Sequence, residues 1–305
     1  MKNLVYRNFY LIPRGIAKND YTKACLVLEG GALRGLYTAG VTDALMIDNL
    51  NFECVIGTSA GCLIGLNYVS GQIGRAARIN LGFRFDNNYI GAKATAKNKG
   101  VIGFKFLLED YNALEPLNEE RYYSDSQRLI CTATNLNTGE VEYFEKGETD
   151  EFFKAIQASA SMPYLSMPVM VEGKPYLDGG CACKVPYQKA IDLGYEKIIV
   201  VRTRDLNYRK KLVPFSLHTK TMYHNYPKFM ETLNAMNSNY NKQCEELIEL
   251  EKQGRLIQIY PSSPVSISRL ENDINKLGEL YEEGYKDGNN SLERIRGYLN
   301  KWKKY

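Results

Sequence analysis

Short apolar runs alternate with helical patterns from residue 24 to residue 71. Two apolar runs, residues 24–30 (ACLVLEG) and 52–57 (FECVIG), end in glycine. Each is followed by a stretch with helical spacing, residues 36–48 and 62–71. A strand, a tight loop and a helix repeated in this way indicate a parallel sheet covered by helices. The predicted fold is a three-layer α/β sandwich with a central, mainly parallel sheet.

The middle of the chain predicts further strands after a surface excursion over residues 85–120. Residues 129–136 and 141–145 are joined by NTGE and predict a hairpin. Residues 150–160 predict a helix that ends before Pro163, because proline disfavours helix at the preceding residue. A second small hairpin closes on Asp178, and residues 185–204 predict a helix followed by a buried strand.

The character of the sequence changes after Arg204, where a polar and basic segment begins. Beyond it, apolar residues recur at steps of three and four from Ile267 to Tyr281, which predicts a helix. This helix either packs on the body of the domain or contacts a membrane or partner. We therefore expect a catalytic domain over residues 1–205 and a mostly helical extension packed on it over residues 206–305.

Composition and charge exclude several classes of protein. The 305 residues are 44% hydrophobic and 24% charged, as in soluble globular proteins, and carry a net charge of +4. That charge favours transient contact with an anionic membrane surface but is too small to indicate nucleic acid binding. The sequence shows no secretory signal and no membrane-spanning stretch, and its seven cysteines suit buried free thiols. A cytoplasmic protein is expected, with a peripheral position at the membrane as the alternative.

The first candidate for chemistry is the stretch GTSAG, residues 57–61. It places Ser59 where the second strand meets the following helix. A sharp turn there exposes the serine hydroxyl, and Gly57 and Gly61 allow the close backbone approach that such an elbow needs. The helix also directs its unpaired N–H groups toward the site. The alternative is a tight turn with a capping serine.

The second candidate is the glycine loop EGGALRG, residues 29–35, after the first strand. Ala32 breaks the dinucleotide-binding pattern, and no Gly-Lys-Ser/Thr follows as in a phosphate-binding P-loop. An oxyanion hole fits better, with amides of Gly31 and Ala32 as donors and Arg34 holding the loop or adding positive potential. Gly30 and Gly35 complete this loop. Glu29 either pairs with Arg34 or only caps the loop.

Two candidate bases are compatible with a Ser59 nucleophile. One is a triad of Ser59, Asp178 and either His218 or His224, the only two histidines of the chain. The other is a dyad in which Asp178 accepts the serine proton directly, with Gly179 and Gly180 leaving room beside it. An aspartate of ordinary pKa is a weak base, so the dyad requires desolvation and a preformed oxyanion hole.

Together, and in this order, the glycine loop, the elbow and the Asp-Gly-Gly triplet resemble the patatin-like phospholipase family. Two further blocks, residues 133–140 and 158–163, are similar to that family, and residues 280–288 resemble its bacterial branch. The resemblance implies a serine lipid acyl hydrolase with a Ser59–Asp178 dyad, acting on phospholipids or lysophospholipids without metal or organic cofactor. Ala32 departs from the family pattern, since many members carry a third glycine there.

Two rival functions remain at this point. One is an esterase of the α/β-hydrolase type that depends on a histidine, and the other is a non-catalytic lipid-binding module. The pair Cys181 and Cys183 also raises a metal site, although no second cysteine pair or nearby histidine completes a coordination set.

Overall fold

The structure is a computed structural model that describes residues 5–98, 100–213 and 217–300. Its strands are β1 (Gly15–Ile16), β2 (Tyr21–Leu28), β3 (Asn51–Thr58), β4 (Gln72–Ile73), β5 (Arg128–Asn135), β6 (Val141–Glu145), β7 (Val169–Val171), β8 (Lys174–Asp178), β9 (Ile198–Val201) and β10 (Ile257–Ile259).

The helices surround these strands. They are α1 (Gly35–Ile47), α2 (Ala60–Val69), α3 (Arg75–Gly82), α4 (Ala92–Asn98), α5 (Tyr111–Leu114), α6 (Glu119–Tyr122), α7 (Phe152–Ser159), α8 (Tyr187–Asp192), α9 (Leu217–Met222), α10 (Pro227–Lys252) and α11 (Ile274–Asn300). Short 3₁₀ turns cover Phe9–Leu11, Ala32–Arg34 and Gly179–Cys181, and a π-helical turn covers Phe106–Asp110.

One sheet organises the molecule, with the strand order β10-β9-β2-β3-β5-β8-β7 and β6 paired to β5. The strands from β10 to β5 run parallel, and those around β8 and β6 pair antiparallel. Leu28 pairs with Gly57, so β2 and β3 end side by side. The loops that follow these two strands therefore meet at one edge of the sheet, as the sequence predicts.

Both faces of this sheet are buried, which explains its nearly continuous apolar strands. On one face Leu26 and Val55 belong to a core that includes residues of α1, α2 and α11. On the other face Val27 and Ile56 pack with residues of α8 and α10. The predicted three-layer α/β fold with a largely parallel sheet is confirmed.

The C-terminal third differs from the prediction in two respects. Ile267 and Leu270 do not belong to the helix predicted there, because α11 begins at Ile274. The Glu271 carboxylate accepts backbone N–H groups of Asn272 and Asp273, which holds a turn in place of helix. The Asp273 carboxylate then caps α11 by accepting the N–H groups of the residues two and three positions later.

The second difference is β10, a strand in the segment predicted to be mostly helical. It pairs in parallel with β9 and forms the edge of the main sheet. The predicted boundary near residue 205 stays a prediction, and its outer limits at residues 1–4 and 301–305 lie outside the described residues, as do residues 214–216.

Helix α11 packs very closely on α1, the helix that follows the glycine loop. A methyl group on Gly284 would lie 2.0 Å from the Tyr37 carbonyl oxygen, and one on Gly40 would lie 2.2 Å from the Tyr281 carbonyl oxygen. The Tyr281 hydroxyl also donates to the buried carboxylate of Asp43 at 2.8 Å. The C-terminal helix thus supports the helix on which the loop rests.

Replacing Gly284 by alanine tests this contact. We expect Gly284→Ala to lower the free energy of unfolding by about 1–3 kcal/mol, since the added methyl group must separate two backbones. Gly297→Ala is the matched control in the same helix, because a methyl group there would meet no described atom within 4 Å apart from its chain neighbours and its own helix backbone. That substitution should stabilise the protein by about 0.4–1 kcal/mol. Chemical denaturation measures both, and equal effects would contradict the close packing.

Candidate active site

Ser59 lies on a strained turn between β3 and α2. Its backbone has φ 56° and ψ −122°, a region that a non-glycine residue occupies at a cost of about 1–3 kcal/mol. The turn is tight enough that methyl groups on its flanking glycines would clash. One on Gly57 would lie 2.5 Å from the Cys62 nitrogen, and one on Gly61 would lie 2.4 Å from the Leu28 carbonyl oxygen. These contacts explain why glycine occupies both positions of the elbow.

A neighbouring helix fastens the elbow. The Ser59 N–H donates to Ser159 Oγ at 2.9 Å, and Ser159 is the last residue of α7. On the other side the Ser59 carbonyl accepts from the N–H groups of Cys62 and Leu63 in α2. The sequence alone gives Ser159 no role, because its partner lies 100 positions away.

Asp178 meets Ser59 directly. Residue Asp178 ends β8, and the register of β8 on β5 pairs it with Ala133, one position beyond the Thr58–Thr132 pair of β3 and β5. Ser59 Oγ donates to Asp178 Oδ2 at 2.7 Å. The second oxygen, Oδ1, accepts the N–H of Gly180 at 2.7 Å. Both carboxylate oxygens are therefore held in fixed directions.

Burial changes the basicity of this carboxyl group. Desolvation raises the pKa of Asp178 above its usual value, opposed by the positive charge of Lys184 and by the hydrogen bonds from Ser59 and Gly180. A carboxylate with a raised pKa is a stronger base than a free aspartate. Desolvation thus supplies the property that a base in a dyad requires.

The glycine loop leaves two amides without a partner. Within the described residues, no atom accepts a hydrogen bond from the N–H of Gly31 or Ala32. The N–H of Gly30 donates to the Lys184 carbonyl, and that of Gly35 donates to the Ala32 carbonyl. Gly31, Ala32, Ser59 and Asp178 line one cleft. The free amides are therefore those that the sequence assigned to an oxyanion.

The remaining glycines of the predicted site shape the loops. A methyl group on Gly30 would lie 3.2 Å from the Ser59 Cβ, and one on Gly35 would lie 3.0 Å from the Ala60 Cβ. Gly30 and Gly35 thus let the loop rest against the elbow. Gly179 opens the 3₁₀ turn after Asp178, and a methyl group there would lie 2.1 Å from Thr132 Oγ1.

Ala32 occupies a position where glycine is favoured. Its φ is 51°, in the left-handed region, so the departure from the third glycine falls on a residue with positive φ. The Ala32 N–H nevertheless stays free of any acceptor in the described residues. Alanine at this position therefore costs stability without removing a donor.

Arg34 is buried beside the cleft and does not pair with Glu29. Its side chain makes no hydrogen bond within the described residues, and its Nε is buried without a partner. Desolvation, with the nearby charge of Arg204, lowers the pKa of Arg34 to about 10. Glu29 instead accepts the Thr203 N–H at 2.7 Å and lies 4.0 Å from Arg202. Of the two roles considered for Glu29, the ion pair with Arg34 does not occur.

A second, apolar cleft leads away from Ser59. Ala32, Ser59 and Met162 belong to both clefts, so the two are continuous. The apolar cleft is bounded by aliphatic side chains from α1, α2, α3 and the excursion that precedes β5. These are Leu36, Leu63, Ile64, Leu66, Ile79, Ile90, Ile102, Leu107 and Leu108. Ser59 is one of its lining residues, and a few polar side chains, Asn67, Arg75, Asn80 and Arg269, also border it.

Neither histidine takes part in the site. Among the described residues, no hydrogen bond joins His218 or His224 to Ser59 or Asp178, and neither ring lines the cleft. The His218 ring instead stacks on Tyr164 at 5.6 Å, and His224 is exposed. A triad would need an imidazole between two groups that already touch.

Family comparison decides the class of the protein. The model described as patatin-like phospholipase matches residues 26–191, more than half of the chain. The chain belongs to the patatin-like phospholipase family. It is accordingly a lipid-ester hydrolase, and the resemblance drawn from its motifs is confirmed. A second model, described as a domain of unknown function (DUF6363), matches residues 226–300.

Relatives of this patatin-like chain include bacterial and fungal proteins. It is 25% identical over 285 residues to the uncharacterized protein YjjU of Escherichia coli, covering 86% of this chain and 75% of YjjU. It is 26% identical over 305 residues to lysophospholipase nte1 of Aspergillus niger, of which it spans 18% while 89% of this chain is covered. Among solved structures, VipD from Legionella pneumophila matches with a TM-score of 0.47 and 14% identity over 90% of this chain and 67% of VipD.

The patatin-like chain offers neither a metal cluster nor a membrane-crossing helix in its described part. No group of three or more histidine, cysteine, aspartate or glutamate side chains gathers there as metal ligands would. Cys181 and Cys183 are buried free thiols. None of the helices within residues 5–98, 100–213 and 217–300 has the length and apolar character for crossing a bilayer.

The raised pKa of Asp178 predicts how its replacement changes stability. In the folded patatin-like enzyme the carboxyl holds its proton more tightly than in the unfolded chain, where its pKa is about 3.9. Its contribution to the free energy of unfolding therefore declines as pH rises from that value to the raised folded-state pKa. We expect Asp178→Asn to be at least as stable as the wild type at pH 8. Near pH 4 the free energy of unfolding of the variant, relative to that of the wild type, should be lower than at pH 8.

Thermal unfolding across this pH range measures the difference. Asp43→Asn is a useful comparison, since desolvation raises the pKa of Asp43 to about 7 and the group lies outside the cleft. A wild type that gains stability over Asp178→Asn as pH rises would contradict the account of a desolvated carboxylate.

Proposed function

We propose that the protein hydrolyses acyl esters of phospholipids or lysophospholipids through a Ser59–Asp178 dyad and an acyl-enzyme. The observation that carries this proposal is the 2.7 Å hydrogen bond from Ser59 Oγ to Asp178 Oδ2, next to an apolar cleft that Ser59 also lines. Serine needs a base and an oxyanion site to react, and both have a candidate here. Ser59 is only 6% exposed, but it lines the cleft.

In the first step Ser59 Oγ attacks the ester carbonyl carbon. The O–H proton passes to Asp178 Oδ2 as the new C–O bond forms, and the carbonyl π electrons move to oxygen. Because the pKa of Asp178 is raised, it lies closer to the pKa of the serine hydroxyl, which favours the proton transfer. The Gly180 N–H binds the other carboxyl oxygen and keeps it away from the reaction. The base thus acts through one oxygen only.

The tetrahedral oxyanion is stabilised by the amides of Gly31 and Ala32. These donors are fixed before the reaction, so they pay no reorganisation as charge develops. Collapse of the intermediate breaks the ester C–O bond, and protonated Asp178 gives its proton to the leaving alkoxide. Water then attacks the acyl-enzyme carbonyl and gives its proton to Asp178. When the tetrahedral intermediate collapses, the acyl C–Oγ bond breaks and Asp178 returns the proton to Ser59 Oγ, which releases the fatty acid and the free enzyme.

Two observations support a lipid substrate. The largely aliphatic cleft that Ser59 lines suits an acyl chain, and it lies in a chain of the patatin-like phospholipase family. The Aspergillus niger relative is named a lysophospholipase, which favours phospholipids and lysophospholipids over other esters for this chain.

Exposed apolar side chains beside the cleft favour contact with a membrane surface. Met162 and Pro163 line the cleft, and the loop after them exposes Leu165 (43%) and Met167 (60%). This loop is tied to α9, where Leu217 is 78% exposed, because the Tyr164 hydroxyl hydrogen-bonds Thr219 Oγ1 at 2.7 Å. A lipid enzyme that takes its substrate from a bilayer would seat these side chains in the interface.

Labelling with a fluorophosphonate probe tests the nucleophile. The probe should bond to Ser59 in the wild type and leave Ser59→Ala unlabelled, because only an activated hydroxyl forms the phosphorus–oxygen bond. Asp178→Asn should keep its fold and lose about 10²–10⁴-fold in kcat, since an amide cannot accept the proton. The double variant His218→Ala/His224→Ala should keep wild-type turnover. Loss of activity in that variant would favour the histidine-dependent esterase.

Two other outcomes would overturn the dyad. Labelling that persists in Ser59→Ala would mean that another residue is the nucleophile. Near-full turnover in folded Asp178→Asn would mean that Asp178 is not the base. A wild type that neither labels nor turns over any acyl ester would favour the non-catalytic lipid-binding module.

Removing exposed leucines tests the membrane contact. The double variant Leu165→Ser/Leu217→Ser should bind anionic phospholipid vesicles about tenfold or more weakly, because each leucine contributes about 1.5–3 kcal/mol when fully buried. Ile16→Ser is the control, since Ile16 is 59% exposed but lies in β1, before the amino end of β2. Vesicle sedimentation measures both, and equal weakening by the control would contradict this orientation.

A further inference from the structure

In addition to the apolar cleft, a cavity of about 480 Å³ opens beside the cleft that holds Ser59 and Asp178. Its size lies within the range of about 300–1,000 Å³ that small-molecule sites occupy. Arg34, Lys184 and Arg269 line both the cleft and this cavity, so the two are adjoining compartments of one site. A molecule whose ester reaches Ser59 can extend into the second compartment.

Basic side chains dominate this cavity. Seven lysine and arginine residues line it against a single carboxylate, Glu29. That carboxylate is already engaged by the Thr203 N–H and lies near the fully buried Arg202. One of the seven, Arg209, has its own partner in Glu245 at 2.7 Å. The cavity therefore holds a large excess of positive charge.

Six of these seven cations, all but Arg209, have no acidic partner among the described residues. In the described part of the chain, no carboxylate lies within ion-pair distance of Lys184, Lys210 or Arg269. The Lys210 Nζ is buried and donates no hydrogen bond to any atom of the described residues. Desolvation, together with the charges of Lys184 and Arg269, lowers the pKa of Lys210 to about 6, and desolvation lowers that of Lys184 to about 8. Keeping these two lysines charged without a counter-ion is costly, and an anion in the cavity would offset that cost and raise both pKa values again.

The same cavity is unsuited to a quaternary ammonium group. Such groups are recognised by open aromatic faces or by carboxylates. Two tyrosine rings line the cavity, but the Arg204 guanidinium lies 4.4 Å from the centre of Tyr208, and the Lys210 Nζ lies 4.6 Å from the centre of Tyr240. The protein's own cations therefore occupy the positions that a choline headgroup would need.

We propose that this cavity binds the phosphate of an anionic lipid headgroup while the acyl ester lies at Ser59. The enzyme would then prefer lipids with a terminal, doubly charged phosphate over those with a choline headgroup. Lys184 and Arg269 contact the phosphate at the junction of the two compartments, and Lys210 and Arg204 contact it from the far side. This preference rests on the proposed hydrolase function, which it deepens by naming the headgroup class.

Substrate competition tests the preference. The value of kcat/KM is measured for short-chain lysophosphatidic acid and lysophosphatidylcholine, both below the concentrations at which they form micelles, so that membrane binding does not contribute. We expect the wild type to favour the first, and Lys210→Gln to lower the ratio of the two values by about tenfold, since it removes one charged contact. Lys210→Arg restores the charge and should restore much of the ratio. Lys252→Gln, an exposed lysine at the end of α10, is the control and should leave the ratio unchanged.

A binding measurement separates this inference from the hydrolase proposal. Ser59→Ala protein, with and without Lys210→Gln, is titrated by calorimetry with lysophosphatidic acid, glycerol 3-phosphate and inorganic phosphate. Binding of the lipid and of glycerol 3-phosphate that weakens with Lys210→Gln supports the headgroup site even if no ester is hydrolysed. If inorganic phosphate binds as tightly as the lipid, the cavity is a site for free phosphate and not for a lipid headgroup. A wild-type ratio that Lys210→Gln does not change, or absence of binding by all three ligands, would overturn the inference.

Discussion

The hydrogen bond between Ser59 Oγ and Asp178 Oδ2 is the contact on which the rest of the site depends. It joins side chains 119 positions apart, so only the sheet can bring them together. The register of β5 between β3 and β8 sets their approach, and the Thr58–Thr132 hydroxyl contact of 2.8 Å ties the first two of these strands. A shift of one residue in either pairing would turn the carboxylate to the other face of the sheet.

The site combines strain and burial that the surrounding fold must offset. Ser59 and Ala32 both have positive φ, and Asp178 is a carboxylate held almost wholly out of water. Each feature destabilises the folded state, and each serves the proposed chemistry: the turn directs the Ser59 hydroxyl to Asp178, the loop leaves an amide free, and burial makes the carboxylate a stronger base. Packing of α11 on α1 and burial of both faces of the sheet supply the opposing stability.

The sequence predicts the parts of this protein in which local chemistry and fold agree. The apolar runs before Glu29 and Thr58 are strands. The elbow requires glycine at positions 57 and 61 because a methyl group on either would clash with nearby backbone atoms. Strand β10 escapes prediction because three residues carry too little periodicity. The start of α11 escapes it because Glu271 and Asp273 redirect backbone hydrogen bonds, which an apolar pattern does not register. The basic cavity is likewise invisible in sequence, since its cations come from four distant segments.

The central claim is that one hydroxyl, one carboxylate and two free amides converge on a single reacting carbon. A crystal structure of the protein after reaction with a fluorophosphonate tests this convergence directly. Phosphorus should be bonded to Ser59 Oγ, with its non-bridging oxygen within about 3 Å of the Gly31 and Ala32 nitrogens and Asp178 still beside Oγ. Phosphorus bonded to another residue, or an oxygen directed away from both amides, would contradict the account.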